Sequence, residues 1–173
     1  MALGNVICTA DPEDAARRDE FMLAVGPDPG NVLPPIAPAK LGPGVVDDGD
    51  LDGAVAPQAI VRTSGNAEGL WDQVVGTGWV IMSSLNAHEA LDAQRLAGLD
   101  RYGVRWIHVV PSAAEPGDVI DSRGAVLPRL AAAGHVAQAV RPDAYLYGSA
   151  ATAADVPAFA DGLLRRLAGR GGR

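Results

Sequence analysis

From residue 78 onward the sequence predicts an α/β domain with the element order β-α-β-α-β-β-α, behind an N-terminal helix and a Pro/Gly-rich arm. Three observations predict it. Two continuous apolar runs, residues 78–83 and 104–110, flank a helical segment. Residues 135–140 and 144–147 read as strands separated only by Arg141-Pro142-Asp143, too short a joint for a helix. A last helix, opening near Thr152, carries its apolar residues on one face.

Each element has a local reason. Residues 11–25 form a helix: Asp11 can cap it, Pro12 suits its first position, and Glu13 and Asp14 complement the positive end of its dipole. Asp14 and Arg18 are spaced to pair, and Gly26-Pro27 ends the helix. Residues 27–58 hold Pro27, Pro29, Pro34, Pro35, Pro38, Pro43 and Pro57 with the acidic run Asp47-Asp48-Gly49-Asp50, and no period survives there. Such a stretch is a linker arm joining two units.

Residues 59–62 are a strand candidate, and 70–75 a short helix or turn. The run 78–83 is a strand buried on both faces. Asn86 with Glu89 suggests a capping box opening a helix to about Tyr102, stopped by Gly103. Strand 104–110 follows, which gives a parallel, right-handed βαβ unit. Val119-Ile120-Asp121 is a strand end, and a short helix covers about 125–133. The strands around Arg141-Pro142-Asp143 form an antiparallel pair. Thr152 and Asp155 form a capping box for the last helix. Its apolar face is Val156, Phe159, Ala160, Leu163, Leu164 and Leu167, with Asp161, Arg165 and Arg166 opposite. This order is that of a thioredoxin-like fold, preceded by residues 1–26 and the arm 27–58, with the domain itself at 59–173.

Composition narrows the function. The chain has 173 residues, 48% apolar, and no apolar run long enough to span a bilayer. No signal-peptide pattern opens it, so a cytoplasmic protein is expected. Its net charge of −7 lies wholly in residues 1–60, where Arg17, Arg18 and Lys40 face ten acids. No basic stripe for nucleic acid is visible. The single cysteine, Cys8, lies in the apolar run Val6-Ile7-Cys8 and is expected to be an inert packed thiol.

Chemical motifs are sparse. The first βα junction reads Ser83-Ser84-Leu85-Asn86, where dithiol exchange would need Cys-x-x-Cys. His88, His108 and His135 have no metal-ligand spacing. Gly76-Thr77-Gly78 precedes a strand, whereas a phosphate cradle needs a helix N-terminus. Ser149 has no arranged base. Trp79 and Trp106 are expected in the core, and Tyr145 and Tyr147 on one sheet face that can meet a neighbouring domain or subunit.

Several segments resemble a known family. Leu3-Gly4-Asn5-Val6-Ile7-Cys8, Asp11-Pro12 and the helix Ala15-Ala16-Arg17-Arg18-Asp19 are similar to the end of the catalytic part of FAD-dependent aromatic-ring hydroxylases, of the 3-(3-hydroxyphenyl)propionate hydroxylase type. Val140-Arg141-Pro142-Asp143-Ala144-Tyr145 resembles their Arg-Pro-Asp-x-Tyr signature, and Pro57-Gln58 with Val61 the entry into their last domain. The resemblance implies a thioredoxin-like C-terminal domain without redox cysteines, in an enzyme that uses FAD, NAD(P)H and oxygen on a phenolic substrate. It covers only the C-terminal third of such an enzyme. The Gly-rich FAD fold is absent, so no catalytic, cofactor-binding or metal-ligating residue carries over. Arg141, Pro142, Asp143 and Tyr145 carry over as structural signature residues.

The implied role is an accessory and assembly domain, or fragment, of an aromatic-ring monooxygenase, with no catalysis of its own. Its expected partner is the flavin-binding catalytic part, in the same longer chain or as a separate subunit, and a homo-oligomer fits as well. Met1 then reads as an internal methionine, a misplaced gene start or a cloning boundary. Two alternatives stay open: a stand-alone thioredoxin-fold binding module without redox activity, and an unrelated enzyme on the same fold. By comparison with the cis-proline of thioredoxin folds, the Arg141–Pro142 bond is expected to be cis.

Overall fold

The computed structural model describes residues 8–26, 41, 44–47, 53–65, 68–112 and 115–169. The chain divides into two compact units, Met1–Pro38 and Ala39–Arg173. The start of the resemblance, residues 3–7, and most of the arm lie outside the described residues.

In the first unit, α1 spans Pro12–Val25. The Asp11 carboxylate accepts the amides of Glu13 and Asp14 at 2.9 and 3.0 Å, as the sequence predicts. The ion pairing differs from expectation. Asp14 takes Arg17, while Arg18 turns to the adjacent Asp19 through two nitrogens at 2.8 and 2.7 Å. No residue of α1 is buried, and Phe21 and Leu23 are 55% and 83% exposed. Cys8, expected to be packed, is exposed.

The second unit is one seven-stranded mixed sheet. Its strands are β1 (Ile60–Thr63), β2 (Glu68–Leu70), β3 (Val80–Ser83), β4 (Arg105–Val110), β5 (Val119–Ile120), β6 (Ala137–Val140) and β7 (Leu146–Ala150). They lie in the order β2-β1-β5-β4-β3-β6-β7. The three strands β3, β4 and β5 run parallel, and every other pairing is antiparallel. The helices are α2 (Trp71–Val74), α3 (Ala87–Ala90), α4 (Ala93–Arg101), α5 (Leu127–Ala132) and α6 (Val156–Ala168).

Alternation along the strands builds two cores. Ile81, Ala139 and Tyr147 face one side with Leu99 of α4 and Phe159, Leu163 and Leu167 of α6. Val80, Met82, Val140 and Leu146 face the other with Trp71 of α2 and Leu130 of α5. The α/β class is as predicted. The core β3-α-β4 crossover, the β6–β7 hairpin beside β3 and the closing helix are consistent with a thioredoxin-like arrangement.

Several details depart from expectation. The helix 86–102 is two helices, because Leu91 swings to an extended backbone (φ −137°, ψ 147°) and buries its side chain. Asp92 then caps α4 by accepting the Arg95 amide at 2.9 Å. Asn86 accepts the amide of His88, so it caps α3 without the box expected with Glu89. Thr152 and Asp155 do close a box, with Thr152 Oγ1 donating to Asp155 at 2.6 Å, but around a short 3-10 turn, Ala153–Asp155, ahead of α6. β2 was not foreseen: it is three residues long at the sheet edge with Gly69 at its centre.

The Arg141–Pro142 bond is trans, since the described residues contain no cis peptide. Pro142 lies in the β6–β7 turn, where the Arg141 carbonyl accepts the Ala144 amide at 3.0 Å. That places it at the second position of a β-turn, which its fixed φ suits in the trans form. Ala144 follows with φ +62° and completes the three-residue hairpin. The loop that enters β6 carries Val136 instead of a proline.

Tyr147 also differs from expectation. It is 1% exposed, edge-on to Trp79 at 6.1 Å and tilted against Phe159 at 6.2 Å. Its face of the sheet is covered by α6, so it is not a surface for a neighbour. Tyr145 lies just before β7 and bridges to Val55.

Candidate functional site at the carboxyl end of β3

Open α/β sheets bind ligands outside the carboxyl ends of parallel strands, where successive crossovers leave the sheet on opposite sides. Here α4 follows β3 on one side and α5 precedes β6 on the other, so that place is the Ser83–Ser84 end of β3. A cleft of about 480 Å3 opens there. Leu127, Leu130 and Ala131 of α5 form one wall, and Ser84, His135 and Ala151 contribute from the strand ends.

The polar groups at this place are turned on one another. The Val136 carbonyl accepts the Ser84 amide at 3.0 Å, Ser83 Oγ at 3.0 Å and Ser84 Oγ at 3.4 Å. Ser83 Oγ in turn accepts the Leu85 amide at 3.0 Å. The Val136 amide donates to Ala150. Trp106, part-buried in β4, donates its indole N–H to the Leu85 carbonyl at 3.0 Å.

Beside it stands a trio the sequence reading did not foresee. His135 Nε2 is 3.2 Å from Ser149 Oγ, and its Nδ1 is 3.1 Å from Gln138 Nε2. The signal is invisible locally, because only the Gln138↔Ser149 register of the hairpin brings them together. The Ser149 hydroxyl, the His135 ring and the Gln138 amide thus form one hydrogen-bonded chain. The buried Gln138 Oε1 has no partner.

The other flagged residues have structural work. His108 Nδ1 meets Asp118 at 3.0 Å, and Asp118 also accepts the Glu115 amide. His88 is exposed. Among the described residues no group of three His, Cys, Asp or Glu could hold a metal ion. The Gly76-Thr77-Gly78 loop turns carbonyls inward, onto the Arg105 guanidinium, which also reaches Val75 O; the distances to Gly76 and Thr77 are 3.3 and 3.1 Å. A dinucleotide needs amides at that place, so the loop does not fit the pyrophosphate of FAD or NAD(P)H.

The signature residues meet at the β6–β7 turn. Arg141 grips Asp143 through Nε at 3.0 Å and Nη2 at 2.7 Å, and Nη1 donates to the Val45 carbonyl at 2.7 Å. The grip of Arg141 holds the Asp143 carboxyl below its usual pKa. A second guanidinium, Arg95, joins α4 to α6 by a two-pronged bond to Asp161 at 3.0 and 2.8 Å.

Comparison with known proteins places this geometry in a family. Residues 53–166 match the model of the HcaD C-terminal domain. Over 174 residues the chain is 30% identical to a probable NADH-specific resorcinol 4-hydroxylase from Rhodococcus jostii (strain RHA1), covering 97% of this chain and 31% of that protein. The fold is similar to part of aklavinone-11 hydroxylase, solved with FAD and aklavinone: TM-score 0.56, 22% identity, 82% of this chain and 27% of that one. It is also similar to part of the flavin-dependent monooxygenase PieE, solved with FAD and substrate: TM-score 0.51, 18% identity, 96% of this chain and 31% of that one. The chain thus spans about a third of the length of these relatives. Among the described residues no helix is long and apolar enough to cross a membrane.

Proposed function

Because the chain belongs to the HcaD C-terminal domain family, we propose that it is the accessory and assembly part of an FAD-dependent, NAD(P)H-using hydroxylase of phenolic rings, without catalysis of its own. The observation that carries this reading is the coverage: 97% of the chain aligns with only 31% of a hydroxylase. The geometry supports it. The groups at the carboxyl end of β3 are consumed internally, and the Gly-x-Gly loop is filled by Arg105. Helix α1 buries none of its residues and exposes Phe21 and Leu23, as a helix does when its packing partner lies elsewhere.

In this reading residues 1–26 belong to the flavin and substrate side, 27–58 form the connecting arm, and 59–173 are the accessory domain. FAD and NAD(P)H bind outside this chain, on a catalytic part in the same longer chain or in a separate subunit. Two assays test it. The purified chain is titrated into FAD while flavin fluorescence is followed, and no quenching is expected. It is then added to the Rhodococcus jostii relative lacking its matching segment, and recovery of NADH-dependent hydroxylation is measured. Tight FAD binding by the chain alone, with NAD(P)H oxidation on a phenol, would overturn the proposal.

A further inference from the structure

We propose that residues 44–47 and 53–56 are a strap laid along the free edge of β7, and that the Arg141-Pro142-Asp143 turn is the latch that holds it. β7 ends the sheet, so its outward amides and carbonyls need cover. The strap supplies it. Asp47 donates its amide to the Tyr147 carbonyl at 2.7 Å, Gly53 to Leu146 at 2.8 Å and Ala56 to Ala144 at 2.8 Å. Leu146 answers with its own amide to Ala54 at 2.8 Å, and Val55 bridges to Tyr145.

The latch acts at the strap's upstream end. Arg141 points one nitrogen at the Val45 carbonyl, while the other two are fixed by Asp143, so the guanidinium is pre-aimed. A lysine could not replace this fork. The seat is cut to shape as well. A Cβ on Gly148 would fall 2.9 Å from Asp47 Cβ, so the strap lies this close only over a glycine. Asp47 also approaches the buried phenol of Tyr147, whose pKa is pushed up by burial and by the Asp47 charge.

The consequence is an anchoring point. With the latch closed, Val45 is tied to the β6–β7 turn. Without it, the first tie is the Asp47 amide on the Tyr147 carbonyl, followed by those of Gly53 and Ala56. The turn therefore fixes the upstream end of the strap on the sheet edge. The latch itself does not depend on the proposed function; only its value for docking a catalytic part does.

Amide hydrogen exchange on the full chain tests it, with Arg141→Gln, Arg141→Lys and Gly148→Ala. Arg141→Gln should speed exchange at Asp47 and Gly53 about tenfold to a hundredfold, the range for losing a charge-assisted hydrogen bond. Arg141→Lys should fall between it and the parent, Gly148→Ala should open the Asp47 contact about tenfold, and the β3 and β4 amides should keep their protection in all three. Where Arg141→Gln does not fold, Arg141→Lys and Gly148→Ala decide. Unchanged strap amides in the Arg141 variants, including acceleration in Gly148→Ala alone, overturn the latch. Acceleration of strap and β3–β4 amides together overturns the strap as a separable element.

Discussion

Asp121 carries a stability prediction that can be worked from geometry. Its side chain lies between β5 and α5 in a residue only 5% exposed. The carboxylate accepts the amides of Ala125 at 2.9 Å, Val126 at 2.9 Å and Leu127 at 2.8 Å. Those are donors that the start of α5 cannot satisfy for itself. Asp121→Ala orphans all three. An ordinary lost cap costs about 1 kcal/mol, and a buried unpaired amide about 1–3 kcal/mol. Ala125 is exposed and can turn to water, so Val126 and Leu127 dominate. The expected loss is about 3 kcal/mol for Ala, which for a domain of this size lowers Tm by roughly 10 °C. Asp121→Asn keeps one oxygen for Val126 and Leu127 but turns an NH2 toward the Ala125 amide, so about half the loss is expected. Urea unfolding followed by circular dichroism measures both. An alanine variant within about 0.5 kcal/mol of the parent, the usual scatter of surface changes, would refute the reasoning.

Three more predictions rest on other side chains. Tyr147→Ala should cost about 3–5 kcal/mol, because it empties the space between Trp79 and Phe159, and loss of near-ultraviolet dichroism should accompany it. Asp92, Asp143 and Asp161 all titrate below the ordinary carboxylate value, held by the Arg95 amide, the Arg141 side chain and the Arg95 side chain respectively. Their folded pKa values are depressed, so their stabilisation is complete above the unfolded value of about 3.9 and fades as pH falls through the folded values. Urea midpoints should drop as pH falls below about 4, and Asp161→Asn should shrink that drop; an unchanged drop would count against the Arg95 bridge. Cys8 is exposed, so Ellman's reagent should titrate it in the folded chain as fast as in urea, and a protected thiol would contradict the structure.

Sequence patterns located the elements whose cause is local. The apolar run at β3, the face of α6 and the Asp11 cap all depend on residues within a few positions of one another. Where the sequence reading failed, the cause lay across the chain. The break at Leu91 is favoured because its side chain joins a core assembled from α4, α6 and β7. The turn around Pro142 reads as a turn, but its trans bond depends on the hairpin's exit from β6 rather than its entry. β2, which the sequence did not suggest, is three residues long and exists because β1 pairs with it.

The candidate site was legible only in its losses. Ser83-Ser84 showed at once that no thiol stands at the end of β3. That the Val136 carbonyl absorbs three donors there, and that His135 meets Ser149, required the register of β3, β6 and β7. At the end of β3 the Ser83 and Ser84 hydroxyls close on the Val136 carbonyl, and His135 on Ser149. The exposed Phe21 and Leu23 of α1 and the strap that Arg141 holds at Val45 both lie in the part of the chain that precedes β1. Under the proposed function, that part is where docking to a catalytic part would draw its specificity.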